Sequence, residues 1–109
     1  MNSIIENILT RRSIRNFRGT QISEEDLNTI LTAGSYAPNG MGTQSWKFTV
    51  IQKTSVLAKV NEAIRLTLIS IPVVAETHPY VVSLVEKAKD ESSNFLYHAP
   101  TFIIVSNLK

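Results

Sequence analysis

Two segments of the chain, WKFTVIQ at residues 46–52 and TFIIVSN at residues 101–107, have the β-branched and aromatic density of strands. In the first, Trp46, Phe48 and Val50 alternate onto one side, and Ile51 begins an apolar pair that suggests cover on both faces. The second is short, wholly apolar at its centre and preceded by Ala99-Pro100, the pattern of a buried strand. Two strands do not close a sheet, because each leaves backbone donors and acceptors along a free edge, and a two-stranded ribbon is only marginally stable in water. Whatever this chain folds into, something else is expected to pair with those edges.

The remaining apolar residues repeat at helical spacing. Asn2 or Ser3 can cap a short helix that carries Ile4, Ile5, Ile8 and Leu9 on one stripe. Ser23 opens a second helix, with Asp26 three positions on as an approximate capping box and Ile22 and Leu27 placed as a hydrophobic staple. Leu27, Ile30, Leu31 and Gly34 make its apolar face, up to about Tyr36. Pro38, Gly40 and Gly42 then break any regular pattern, so APNGMGTQS reads as a loop. A third helix starts at Thr54 or Ser55 and runs through Val56, Leu57, Val60, Ala63, Ile64, Thr67 and Leu68. Two prolines interrupt SIPVVAETHP, and helix resumes near Tyr80 to about Lys89. Two strands and four helices are therefore expected, in a single domain over 1–109 whose strand edges need something else to pair with.

Composition narrows the function. The chain has no cysteine, which excludes disulfides, thiolate metal sites and cysteine nucleophiles. Eleven Lys and Arg stand against nine Asp and Glu, an excess too small to argue for nucleic acid. No apolar run is long enough for a membrane span, and MNSIIENILTRR lacks the apolar centre of a secretory signal, so a cytoplasmic protein is expected.

Against that neutral background, RRSIRNFR at residues 11–18 places four arginines in eight positions. Arginine offers a planar fork of donors suited to phosphate, and Ser13 adds a hydroxyl, which is the composition of a phosphate clamp. Basic residues after a helix also complement the negative end of its dipole, and the residues alone leave both readings open. Asn39 and Gln44, in a loop of little side-chain bulk, could meet the edge of a flat heterocycle, although an ordinary helix-to-strand connection has the same composition. No Walker A or dinucleotide fingerprint is present. His78 and His98 lack a carboxylate or second histidine at metal spacing and read as structural. No serine lies in a nucleophile elbow, and Glu24, Glu25 and Asp26 are accounted for by a helix N-terminus.

In this order and spacing, RRSIRNF, ISEEDLNTILTAGSYAPNGMGTQSWKF and HAPTFIIVS resemble the FMN-dependent nitroreductase family. The resemblance covers nearly the whole chain and implies a nitroreductase-like α+β fold, with helices packed on a mainly antiparallel sheet and incomplete without a partner chain, built as an intertwined homodimer with FMN at the subunit interface. It implies that Arg11, Arg12 and Ser13 hold the phosphate and ribityl groups and that Arg15 faces the pyrimidine edge of the flavin. From the second subunit, Pro38, Asn39, Gly40, Met41 and Gln44 would line the ring. It further implies NADH or NADPH as reductant and a small-molecule acceptor such as a nitroaromatic or quinone, taken alternately, with no nucleic acid, no membrane and no metal. The sequence departs from the family pattern at Gly42 and Ser45, where Asn and Pro are common. Family members also continue well beyond the last strand seen here, so a fragment is one expectation. The alternative functional readings are a non-catalytic module that keeps the family fold without retaining flavin, and a small basic binding protein acting through Arg11 to Arg18.

Overall fold

A computed structural model describes residues 2–38 and 45–107. Its elements follow in the order α1 (Ser3–Thr10), α2 (Glu24–Ser35), β1 (Trp46–Ile51), α3 (Thr54–Ile69), α4 (Pro79–Ala88) and β2 (Phe102–Asn107). Each expected helix and strand is present within a residue or two of its predicted limits. The caps behave as their residue types dictate. Asn2 Oδ1 accepts from Ile5 N at 2.9 Å, and Ser23 Oγ accepts from Asp26 N at 3.0 Å. His78 caps α4, its Nδ1 accepting from Tyr80 N at 3.1 Å one residue before Pro79 at the first helical position.

The two strands pair antiparallel, from Trp46 opposite Asn107 to Ile51 opposite Phe102. α2 approaches this ribbon at Gly34, where a Cβ would lie 3.2 Å from Cε1 of Phe48. The small residue on the apolar face of α2 thus admits the Phe48 ring. The expected burial of the second strand is only partly realised. Phe102 and Ile103 are half-buried, but Ile104 and Val105 are exposed, Val105 at 58%. Strand chemistry was legible in β2, but cover is a tertiary property, and no described residue lies over that end.

The small buried core centres on α4 and the loop that follows it, against α3. Val85, Ala88 and Leu96 are buried there, together with Arg65. Arg65 donates to both carboxylate oxygens of Glu62, Nε at 2.9 Å and Nη2 at 2.6 Å, and its Nη1 donates to the Ala88 carbonyl at 3.2 Å. A bidentate pair within one helix turn is thereby used to satisfy the open C-terminal end of the next helix. Elsewhere the surface is unfinished. The accessible area is 8724 Å², whereas a folded monomer of this mass exposes about 6,100 Å². The Cα radius of gyration is 17.3 Å, against about 13 Å for a compact chain of this length. Residues 2–26 are all exposed, and α1 buries none of its residues, leaving Ile4, Ile8 and Leu9 more than 60% exposed.

The Glu62–Arg65 pair sets an acid limit on stability. The hydrogen bond from Arg65 holds the Glu62 carboxyl below its ordinary 4.5, with the guanidinium charge acting in the same direction and partial burial opposing both. As pH falls through 4.5 the unfolded chain takes up this proton before the folded chain does, so the contribution is complete above that value and is lost as pH drops through the lowered folded value. Urea midpoints measured between about pH 6 and pH 3 should fall less steeply for Glu62→Gln than for the parent. Parallel slopes would show that the pair does not govern the acid limb.

Candidate functional site

Residues 11–22 run as exposed, non-helical chain between α1 and α2. α1 ends at Arg11, whose backbone turns extended at φ −55° and ψ 139°, so the arginines that follow are carried on open chain rather than on a helix face. Arg11 Nη1 donates to Ser13 Oγ at 3.4 Å, a contact between alternate residues that puts both side chains on one side of the segment. Arg12 Nη1 turns back to the Arg11 carbonyl at 2.9 Å. Among the described residues Arg15 makes no hydrogen bond, and the ion pairs are Arg65–Glu62 and Lys89–Glu86, with none to Arg11, Arg12, Arg15 or Arg18. Four guanidinium groups thus lie along one short exposed segment, without a carboxylate partner among the described residues. Such a donor set fits an anionic, multiply accepting group, and a phosphate meets that description.

The structure brings Arg11, Arg12 and Ser13 together. Pro38 is exposed just beyond the end of α2 and shares no hydrogen bond with them. Asn39, Gly40, Met41 and Gln44, and with them the departure from the family pattern at Gly42, lie outside the described residues. Among the described residues no group of His, Asp and Glu could hold a metal ion, and no helix is long and apolar enough to cross a membrane.

Two neighbouring cavities flank the start of β2. One, of about 700 Å³, is lined by Gln21, Gln52, Thr54, Asn94 and His98. The other, of about 690 Å³, is lined by Phe17, Arg18, Ile22, Phe95, Tyr97 and Phe102. The loop between them is held by two asparagines that sequence reasoning did not single out. Asn61, on α3, accepts from Phe95 N at 2.7 Å and donates to the Ser93 carbonyl at 3.0 Å. Asn94 Oδ1 accepts from both Leu96 N and His98 N at 3.0 Å. Tyr97 and His98 accordingly sit at φ 54° and 55°, a left-handed pair that non-glycine residues rarely adopt without such support. The Asp90-Glu-Ser-Ser-Asn94 run was the available signal, since these side chains favour local turns over helix. Asp90 accepts from the side chain and then the backbone of Ser92, which holds its carboxyl below the ordinary value.

The model of the nitroreductase family matches residues 8–109. This chain belongs to the nitroreductase family. A protein of Archaeoglobus fulgidus, provisionally named an NADH dehydrogenase/NAD(P)H nitroreductase, is 41% identical over 63 residues, 58% of this chain and 36% of that protein. The crystal structure of a Bacteroides fragilis nitroreductase with bound FMN superposes with a TM-score of 0.84 at 38% identity, covering 98% of this chain and 53% of that one. An FMN-dependent nitroreductase of Clostridium difficile gives 0.75 at 29% identity, covering 97% of this chain and 45% of its own. The chain therefore spans about half the length of these solved relatives, and its nitroreductase-like α+β fold follows from them. Both the arginine segment and the loop beside β2 fall inside the matched region.

The double acceptor role of Asn94 makes a direct prediction. Asn94→Ala leaves two backbone N–H groups without a partner while Tyr97 and His98 remain left-handed, and should cost about 1 to 3 kcal/mol in chemical denaturation. An unchanged midpoint would mean that the loop holds its shape without Asn94.

Proposed function

We propose that the chain is the flavin-binding part of an FMN-dependent oxidoreductase of nitroreductase type, using NADH or NADPH as reductant and a nitroaromatic, quinone or similar small molecule as acceptor. The observation that carries this reading is the unpaired arginine segment, in a family member whose relative from Bacteroides fragilis was solved with FMN. Arg11 and Ser13, already side by side, would hold the phosphate and ribityl hydroxyls, with Arg12 adding charge. Arg15, with no partner of its own, would face the pyrimidine edge, where a fixed cation favours the reduced cofactor. Pro38, Asn39, Gly40, Met41 and Gln44 would line the ring from a second subunit. Bound FMN supplies the hydride chemistry, so the protein's part is to bind, orient and exclude water, and no acid–base pair is required of it.

A homodimer is part of the same proposal. The accessible area exceeds that of a compact monomer by about two fifths, and the surplus includes the apolar stripe of α1. An excess on this scale is what obligate dimers bury. The reading to set beside it is a module with the family fold that does not retain flavin, favoured by the fact that the chain spans only about half of the FMN-bound relative.

Flavin titration separates these readings. Uptake of FMN, with Arg11→Ala weakening affinity by about 1.5 to 3 kcal/mol and Arg15→Ala also slowing reduction by NAD(P)H, is the expected result. A colourless preparation that takes up no added FMN supports the non-catalytic module, and equal affinity and reduction rate in both variants would remove the arginines from the site. In sedimentation at micromolar concentration the chain should run as a dimer. A monodisperse monomer would count against the proposed interface.

A further inference from the structure

The arginine segment is exposed along its whole length, yet it is not loose at its downstream end. Gln21 Nε2 donates to the Pro100 carbonyl at 2.7 Å. Gln21 Oε1 accepts from Ile22 N at 3.1 Å and from the Thr101 hydroxyl. Thr101 Oγ1 in turn accepts from Gln52 Nε2 at 3.1 Å. One amide side chain thereby uses its donor and its acceptor together to fasten the segment to the two residues that precede β2, and through Thr101 to the residue after β1. Among the described residues no other hydrogen bond joins 11–22 to the strands: Arg11 and Arg12 bond within the segment, and Arg15 does not bond at all. Three or four exposed arginine side chains repel one another and carry the highest side-chain entropy, so their use as a clamp depends on how firmly their backbone is held.

We propose that Gln21 is a positioning residue for the arginine clamp: by tying the segment to Pro100 and Thr101 it holds Arg11, Ser13 and Arg15 in the arrangement that receives the flavin phosphate and ring. This rests on the flavin reading given above. Gln21 acts through the arginines and touches no ligand itself. Its partner Thr101 lies just before β2, so one of the two bonds can also be cut from that side.

The test compares Gln21→Leu, Thr101→Val, the double variant and Arg11→Ala in the same chain. The probe is FMN, followed by flavin fluorescence, with backbone ¹⁵N heteronuclear NOE values at residues 13–20 and urea midpoints measured on each protein. Gln21→Leu, which removes both bonds, should weaken FMN binding by about tenfold and lower the NOE values, and Thr101→Val, which leaves the bond to the Pro100 carbonyl, should do the same to a smaller extent. The double variant should be no weaker than Gln21→Leu alone, because that variant already removes both bonds. The urea midpoint should stay near that of the parent. FMN affinity unchanged by Gln21→Leu but weakened by Arg11→Ala overturns the positioning role and leaves the flavin reading standing. Affinity unchanged by Arg11→Ala as well overturns the flavin reading and the proposal with it. A midpoint that falls in step with affinity would make Gln21 an ordinary structural bond and would equally overturn it.

Discussion

The antiparallel pairing of β1 with β2 is the constraint on which the rest of the molecule hangs. It joins Ile51 to Phe102 across a connection that contains both α3 and α4. Closing a flexible loop of that length would cost about 3 to 4 kcal/mol. The chain reduces that cost by filling the connection with two helices that pack on one another over Val85 and Ala88, with Arg65 bridging from Glu62 to the Ala88 carbonyl. Asn61 then holds the descent from α4 into β2. The pairing also gives the arginine segment its only strand attachment among the described residues, because Gln21 bonds to Pro100 and Thr101 at the point where β2 begins.

How much of this was legible in the sequence follows from the range of each interaction. Elements fixed by neighbours in sequence were readable: the Ser23 cap on Asp26, the apolar stripe of α1 and the alternation in Trp46, Phe48 and Val50, while Pro79, read as a break in the pattern, is the first residue of α4. Gly34 was placed on the correct face of α2, though its role as the seat of Phe48 is visible only once strand and helix meet. Contacts between distant residues were not legible. Arg65 reads in sequence as one more surface charge, and Gln21 as one polar residue in a loop, since nothing local announces that Ala88 or Thr101 will lie beside them. The second strand was read as buried because its composition is that of a covered strand, and the described residues cover only its first half. In the candidate site, the arginines and Ser13 are readable as a composition suited to an anion, whereas the Gln21 bonds to Pro100 and Thr101 have no local signal.

The exposed stripe of α1 and the arginine segment are consecutive in the chain, and this would couple the proposed partner to the proposed ligand. α1 has no cover among its own chain's described residues. Whatever packs on Ile4, Ile8 and Leu9 immobilises the helix from which Arg11 projects, and so removes conformational entropy that an anion would otherwise have to remove on binding. Ligand binding at the arginines stabilises the covered helix by the same amount, since linkage runs both ways.

Magnitudes also separate the two explanations of RRSIRNFR. The macrodipole of an eight-residue exposed helix offers a nearby cation about 0.3 to 1 kcal/mol and fades within its last turn. Arg11 is the C-cap of α1 and Arg12 follows it, so the dipole accounts for those two. Arg15 and Arg18 lie beyond its reach on extended chain, where they add repulsion and gain no ion pair among the described residues. A charge-assisted hydrogen bond to an anion contributes about 1.5 to 3 kcal/mol per arginine, enough to offset that repulsion and the ordering of the side chains. The dipole explains where the basic run begins, and the proposed anionic ligand would account for its continuation.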